Sequence, residues 1–369
     1  MNAPNQGSRR RWPAGGVLLA VVLAAGCAKS APTPNVSRDG RRDVIARAKV
    51  WTPTKVAAMD LGTGPGGQGA FAPGATVDCR YVDKDMSGST PKFTCALPGG
   101  DEVKVKYGRD NGEVFAEVAA TRLLWALGFG ADRMYPVRIR CRGCPADDGQ
   151  PSRGAASTVR TYDYAVIERK LPGHEVTGPD GEGWKWSELD LIDPRRGASV
   201  AERDALKLLA AFLQHTDSKR EQQRLVCLDG RPPDSCRQPF MLINDLGKTF
   251  GKANLFNKDR PGSVNLEAWS SVPVWTDAPS CHANLDRSFT GTLEHPAVSE
   301  AGRRLLAVRL GQLTDRQLRD LFMAARFPSR TTGDRDEEPA PAAQAWVRAF
   351  RDKVKQIADR SCLAPRSAP

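Results

Sequence analysis

Apolar, β-branched and aromatic residues alternate with polar ones over residues 76–82, 92–97 and 103–107, which predicts three short strands. Pro98-Gly99-Gly100-Asp101 supplies the turn between the second and third. The period then changes. Over 113–127, Val114, Val118, Thr121 and Trp125 recur at helical spacing on one stripe, and Gly128 is a suitable stop. Strand patterns return at 135–140 and 162–169, separated by a loop rich in Gly, Pro and Ser. From Ser199 the chain reads as helical, with Ala205, Leu209, Phe212 and Leu213 on the buried face of a helix ending near Gln214. Two short strands, 225–228 and 239–244, flank a loop, and two helices are expected over 299–326 and 342–360. A strand-rich first half and a helix-rich second half predict an α+β fold of two lobes with a cleft between them.

The first 27 residues stand apart from this pattern. Ser8-Arg9-Arg10-Arg11-Trp12 is a basic opening, followed by an apolar stretch over 16–25 of signal-peptide length. Leu23-Ala24-Ala25-Gly26-Cys27 resembles a bacterial lipobox, which implies a signal segment over 1–27 and lipidation of Cys27 once the residues before it are cut away. The arginine run also resembles a twin-arginine export signal. Ala28 after the cysteine fits transit to the outer membrane, so the expected location is the cell envelope, lipid-anchored on the periplasmic side. Residues 28–60 then read as a tether and N-terminal segment, rich in Pro, Ser and Arg at first and amphipathic around 43–59. Residues 61–170 form the β-rich N-lobe and 171–369 the helical C-lobe.

Charge and cysteines follow from that division. The leader holds three arginines and no acids, so the formal +11 of the 369 residues becomes +8 without it. A mild excess suits a phosphate-bearing ligand or an anionic membrane surface. Nucleic acid is excluded as an expected partner, because no basic segment is interleaved with aromatics. Eight cysteines remain, an even number that reads as disulfides in an oxidising compartment. Proximity suggests Cys79–Cys95, Cys141–Cys144 and Cys227–Cys236, with Cys281–Cys362 by elimination. A hairpin centred on Ser87 would set Cys79 opposite Cys95. Zinc needs a second close pair of ligands, and only Cys141-x-x-Cys144 has the spacing.

Two glycine motifs carry no chemistry. Gly62-Thr63-Gly64-Pro65-Gly66-Gly67 satisfies G-x-G-x-x-G, but no strand precedes it, no helix follows, and Pro65 lacks a donor amide. Gly247-Lys248-Thr249 is no phosphate loop, since position 242 is Leu where that motif requires Gly.

The constellation that does carry chemistry is His215-Thr216-Asp217-Ser218-Lys219-Arg220-Glu221-Gln222 and, further on, Asn244-Asp245-Leu246-Gly247. Phosphoryl transfer needs one carboxylate to orient or deprotonate the acceptor hydroxyl and another to hold Mg²⁺ against nucleotide phosphates. Together the segments resemble a protein-kinase catalytic loop and its metal-binding Asp-Phe-Gly element. The resemblance implies Asp217 as catalytic base, Lys219 neutralising the transferring group, and Asp245 with Gln222 as metal ligands. Lys106 and Glu117 resemble the strand lysine and helix glutamate that orient the phosphates, with Lys104 as the alternative lysine. Gly88-Ser89-Thr90-Pro91-Lys92-Phe93 resembles the phosphate loop of HipA-type serine/threonine kinases, which implies Gly88, Ser89 and Lys92 at the nucleotide. Glu168 falls where the linker between lobes would lie. The order of parts matches from about 87 to 251. The sequence departs from the pattern in having Gln222 for asparagine, Leu246 for phenylalanine and a single glycine in the loop.

The resemblance implies a bilobal protein-kinase-like fold that uses ATP and Mg²⁺. Membrane, through the lipid anchor, and nucleotide are expected partners, with a protein or small-molecule acceptor that the sequence does not specify. The alternative from a different class is a pseudokinase, a kinase-fold scaffold lipoprotein without catalysis.

Overall fold

The structure is a computed structural model that describes residues 35–86, 88, 90–146, 157–251, 262–278, 280–331 and 339–362. The leader, Cys27 and Ser89 therefore lie outside the described residues, as does Ser87 at the hairpin tip. The described residues belong to one compact unit.

After α1 (Arg38–Ala46), five strands form a closed barrel. They are β1 (Thr76–Val82), β2 (Lys92–Ala96), β3 (Glu102–Tyr107), β4 (Arg133–Arg142) and β5 (Val159–Arg169), ordered β1-β2-β3-β5-β4. All neighbours are antiparallel except β1 and β4, whose parallel pairing closes the ring. Strand alternation sends Phe93, Val105, Tyr107, Val137, Ile139 and Tyr162 inward, where the rings of Phe93, Tyr107 and Tyr162 meet tilted or edge-on. The same alternation turns Lys92, Lys104 and Lys106 to the outer face.

The hairpin register differs from the sequence expectation. Tyr81, not Cys79, faces Cys95, so the turn is centred on Gly88 rather than Ser87. Moving the centre by one residue shifts each partner by two, which keeps every side chain on its own face and so leaves the barrel core intact. Cys79 thereby lies alongside Cys141 of β4 and reaches Cys95 diagonally. Among the described residues four disulfides are formed, Cys79–Cys95, Cys141–Cys144, Cys227–Cys236 and Cys281–Cys362.

Helix α2 (Gly112–Leu127) lies against β4, β5 and the C-terminal helix Asp315–Ala324. Burial goes beyond the expected stripe, of which Val114, Val118 and Thr121 are buried: every residue is buried except Glu113 and Trp125, which are half-buried. A helix apolar on nearly all faces is enclosed on all sides. Asn111 caps its start, and Gly128 ends it in the left-handed conformation. A side chain at Gly128 would also strike the Thr52 carbonyl. The Gly62–Gly67 segment is a loop, pinned by Arg122 to the Leu61 and Gly62 carbonyls and by the Tyr135 hydroxyl to that of Pro65.

The second half holds a small antiparallel sheet of β6 (His174–Glu175), β7 (Gln223–Cys227) and β8 (Pro239–Ile243). Around it lie α3 (Val200–Leu213), α4 (Leu266–Ser271), α5 (Glu300–Gly311), α6 (Asp315–Ala324), α7 (Pro328–Thr331) and α8 (Pro339–Asp359). The single helix expected over 299–326 is α5 and α6, because Thr314 and Gln317 form a reciprocal capping box that starts a new helix. Phe250, Trp269, Phe322, Phe327 and Trp346 form the aromatic centre of this half. Among the described residues no helix is long and apolar enough to cross a membrane.

Candidate active site

Three lysines share the outer barrel face. Lys92 of β2 stands directly opposite Lys106 of β3, and Lys104 lies two residues along from Lys106. Like charges facing each other across a sheet are destabilising unless something opposite in sign sits between or above them. Here α2 and β5 supply it. The Lys106 ammonium hydrogen-bonds Glu117 and lies 3.3 Å from Glu168 and 3.9 Å from Asp245, while Lys104 pairs with Glu168 at 2.6 Å. Glu168 is therefore a buried member of this cluster at the end of β5, before the connecting segment begins.

Burial works against the Lys106 ammonium, but Asp245, Glu117 and Glu168 outweigh it and hold its pKa well above the ordinary value. Burial also pushes the Glu117 carboxyl up, to about 8, against the pull of Lys106. Lys92 is lowered by burial and by its two lysine neighbours. Its ammonium folds back over Gly88, so that a β-carbon there would come within 2.8 Å of it. Thr90, in the same loop, hydrogen-bonds Glu113 at the start of α2, which fixes the hairpin relative to that helix.

Asp245 stands at the mouth of the cluster. The Lys106 and Glu117 side chains are 4% and 1% exposed, whereas that of Asp245 is 36% exposed. Despite some burial, Lys106, Lys104, Lys92 and the Gly247 amide hold the Asp245 carboxyl far below the usual carboxylate range. An ionised carboxylate, open to solvent and backed by lysines, suits a divalent cation carrying phosphates. The turn is anchored on both sides: Leu246 and Phe250 are fully buried, and the Phe250 amide donates to the Leu213 carbonyl at the end of α3.

The segment 215–222 leaves α3 through Gln214, a left-handed cap. It places Asp217 among Lys248 at 3.5 Å, Lys219 at 3.7 Å and the Gln222 amide, which donates to it at 3.1 Å. The Gln222 main-chain carbonyl accepts from the Asn244 and Asp245 amides, and so ties the two acidic loops together. The Gln222 amide nitrogen thus supports Asp217. Ser218 fastens a third loop, accepting from the Thr292 and Leu293 amides through its hydroxyl.

His215 is fully enclosed beneath this loop, against Trp186. Burial lowers its pKa to about 4, against the pull of Asp217 and Asp245. Below pH 6.5 the unfolded chain binds a proton there that the folded chain refuses, so stability is lost as pH falls from about 6.5 towards 4. The expected loss reaches about 3 kcal/mol. Urea unfolding at pH 7.5 and 4.5 checks this: the His215→Gln variant should lose less on acidification than the wild type. Equal losses would remove His215 as a cause.

The structure brings Lys92, Lys104, Lys106, Glu117, Glu168 and Asp245 into one cluster, and sets Asp217, Lys219 and Gln222 in a second group joined to it through the Gln222 backbone. Sequence reasoning missed Lys248. Its position directly after Asp245-Leu246-Gly247 was the available signal, masked by its likeness to a phosphate-loop lysine. Thr90 and Glu113 were missed because their contact bridges a hairpin tip and a helix start.

No family model matches the sequence, nor does any curated protein. Solved structures similar to the chain include the Helicobacter pylori proinflammatory kinase CtkA, at 10% identity, covering 77% of this chain and 96% of that one with a TM-score of 0.41. Another is the Rio2 kinase–ADP/Mg²⁺–phosphoaspartate complex from Chaetomium thermophilum, at 13% identity, covering 67% and 70% with a TM-score of 0.28. Likeness at this level says nothing of chemistry, which the side chains must carry.

Proposed function

We propose that this chain is a kinase-like phosphotransferase that transfers a phosphoryl group from Mg·ATP, exported and held at the cell envelope through a lipid on Cys27. The convergence of Lys92, Lys104 and Lys106 on the solvent-open Asp245 carries the reading. In it the lysines receive phosphate oxygens, Glu117 and Glu168 hold the Lys106 and Lys104 ammonium groups in place, and Asp245 binds the metal. Magnesium, when bound, would neutralise the phosphates and polarise the bond to be broken. Asp217 accepts the acceptor's hydroxyl proton, with Lys219 beside it on the side of the transferring group.

A second reading is a nucleotide-binding scaffold without transfer. It is favoured by Gln222 and Lys248, which both engage Asp217. Calorimetric titration of Mg·ATP into wild type, Asp245→Ala and Asp217→Ala separates the readings. Binding should vanish in Asp245→Ala and persist in Asp217→Ala, while transfer falls by about 10²–10⁴ in the latter. Equal binding by wild type and Asp245→Ala sinks the metal assignment. Binding without any transfer by the wild type leaves the scaffold.

A further inference from the structure

The two barrel disulfides meet. Cys79 of β1 pairs in register with Cys141 of β4, and the Cys95 sulfur of β2 lies 3.6 Å from that of Cys141 without being bonded to it. The sulfurs of Cys79, Cys95 and Cys141 all fall within 4.8 Å of one another, and Cys144 is bonded to Cys141. Three sulfurs from three neighbouring strands thus lie together, and Cys144, just beyond the end of β4, is bonded to one of them. A zinc ion held by thiolates at about 2.3 Å has sulfur–sulfur edges of about 3.8 Å, so the 3.6 Å between Cys95 and Cys141 is already the length of such an edge, and opening the two bridges frees Cys79 and Cys144 to complete the set. Cys95, Cys141 and Cys144 are fully buried, which suits a closed structural site. Gly143, left-handed at φ 77°, lets Cys141-x-x-Cys144 turn both sulfurs to one side. The second ligand pair that the linear spacing seemed to lack is Cys79 with Cys95, sixteen residues apart and brought in by the barrel. Among the described residues, the Cys227–Cys236 bridge has only Asp229 beside it as a further ligand.

We propose that in the reduced chain Cys79, Cys95, Cys141 and Cys144 bind one Zn²⁺, and that the two disulfides are the oxidised form of the same staple. Two equivalents of a dithiol reductant supply the four electrons and four protons that open both bridges. Zinc then displaces the four protons as the four thiolates bind. Strands β1, β2 and β4 are tied together in either state, so the barrel is closed before oxidation as well as after it.

The test uses the full chain, reduced anaerobically with a dithiol that is then removed, and titrated with Co²⁺ followed by Zn²⁺. One equivalent of Co²⁺ should give the visible absorption of a tetrahedral thiolate site, and one equivalent of Zn²⁺ should abolish it. The single variants Cys95→Ser and Cys144→Ser should each lose at least about 100-fold in affinity, more than changes to groups around a metal site cause. The variant with Cys227, Cys236, Cys281 and Cys362 all replaced by Ser should bind as the wild type does. Zinc should also raise the melting temperature of the reduced chain. Binding that survives in Cys95→Ser, an octahedral cobalt spectrum, or a reduced chain whose melting zinc leaves unchanged would each overturn the proposal.

Discussion

Lys106→Ala is expected to destabilise the fold by about 3–5 kcal/mol, because it leaves the buried Glu117 without its counter-ion and Glu168 with Lys104 alone. The loss should depend on pH in a stated direction. Without the ammonium, the folded pKa of Glu117 rises further above that of an unfolded glutamate, near 4.3. A carboxyl raised in this way binds its proton more tightly when folded, so stability falls as pH rises through that window and recovers on acidification. Urea unfolding of the variant at pH 5.5 and 8.5 should therefore show the greater deficit at 8.5. Lys106→Met combined with Glu117→Leu should be milder than Lys106→Ala, since an apolar pair replaces an ionic one at similar volume. A deficit below about 1 kcal/mol at both pH values would mean that the lysine is not what holds these carboxylates in place. The same substitution should abolish Mg·ATP binding if the proposed function is right. The stability effect stands whether or not it does.

Opening the Cys281–Cys362 bridge should cost about 4.5 kcal/mol, since it closes a loop with a sequence separation of 81 and the unfolded chain gains the freedom of that loop when it is cut. The Cys227–Cys236 bridge spans only 9 and should cost about 2.6 kcal/mol on the same reasoning. The long bridge fastens the end of α8 to the segment before α5, where the Cys362 amide also donates to Glu300 and Arg360 donates to the Ala278 carbonyl. Urea unfolding of the paired variants Cys281→Ala/Cys362→Ala and Cys227→Ala/Cys236→Ala compares them without leaving odd thiols. Equal losses would rule out loop entropy as the main source of stabilisation.

Much of this molecule is written locally. The barrel strands, α2, α3 and β8 begin and end within a few residues of where alternation, caps and breakers place them. Each such signal depends only on neighbouring residues and on the backbone they permit. The order Lys106, Glu117, Asp217, Asp245 is likewise readable, because phosphate and metal chemistry restricts which residue types can serve. Other features are decided between segments far apart in the chain. The Cys79–Cys95 register depends on which face of each strand fills the barrel, so the turn centre moved by one residue. The burial of α2 on all sides depends on elements on both flanks, and no single stripe announces it. Glu168 reads as a linker residue until β3 lies beside it and supplies Lys104 and Lys106.

By itself, then, the sequence determined the strands, the main helices and the kinds of residue available for chemistry, through local periodicity and backbone preference. Only the tertiary structure decided which of them meet. It set Lys248 and Gln222 on Asp217, three lysines behind Asp245, and Cys79 and Cys95 beside Cys141. Those contacts join positions up to about 150 residues apart, and they are settled by the closure of the barrel and the packing of the helical half, not by any property of the neighbouring residues.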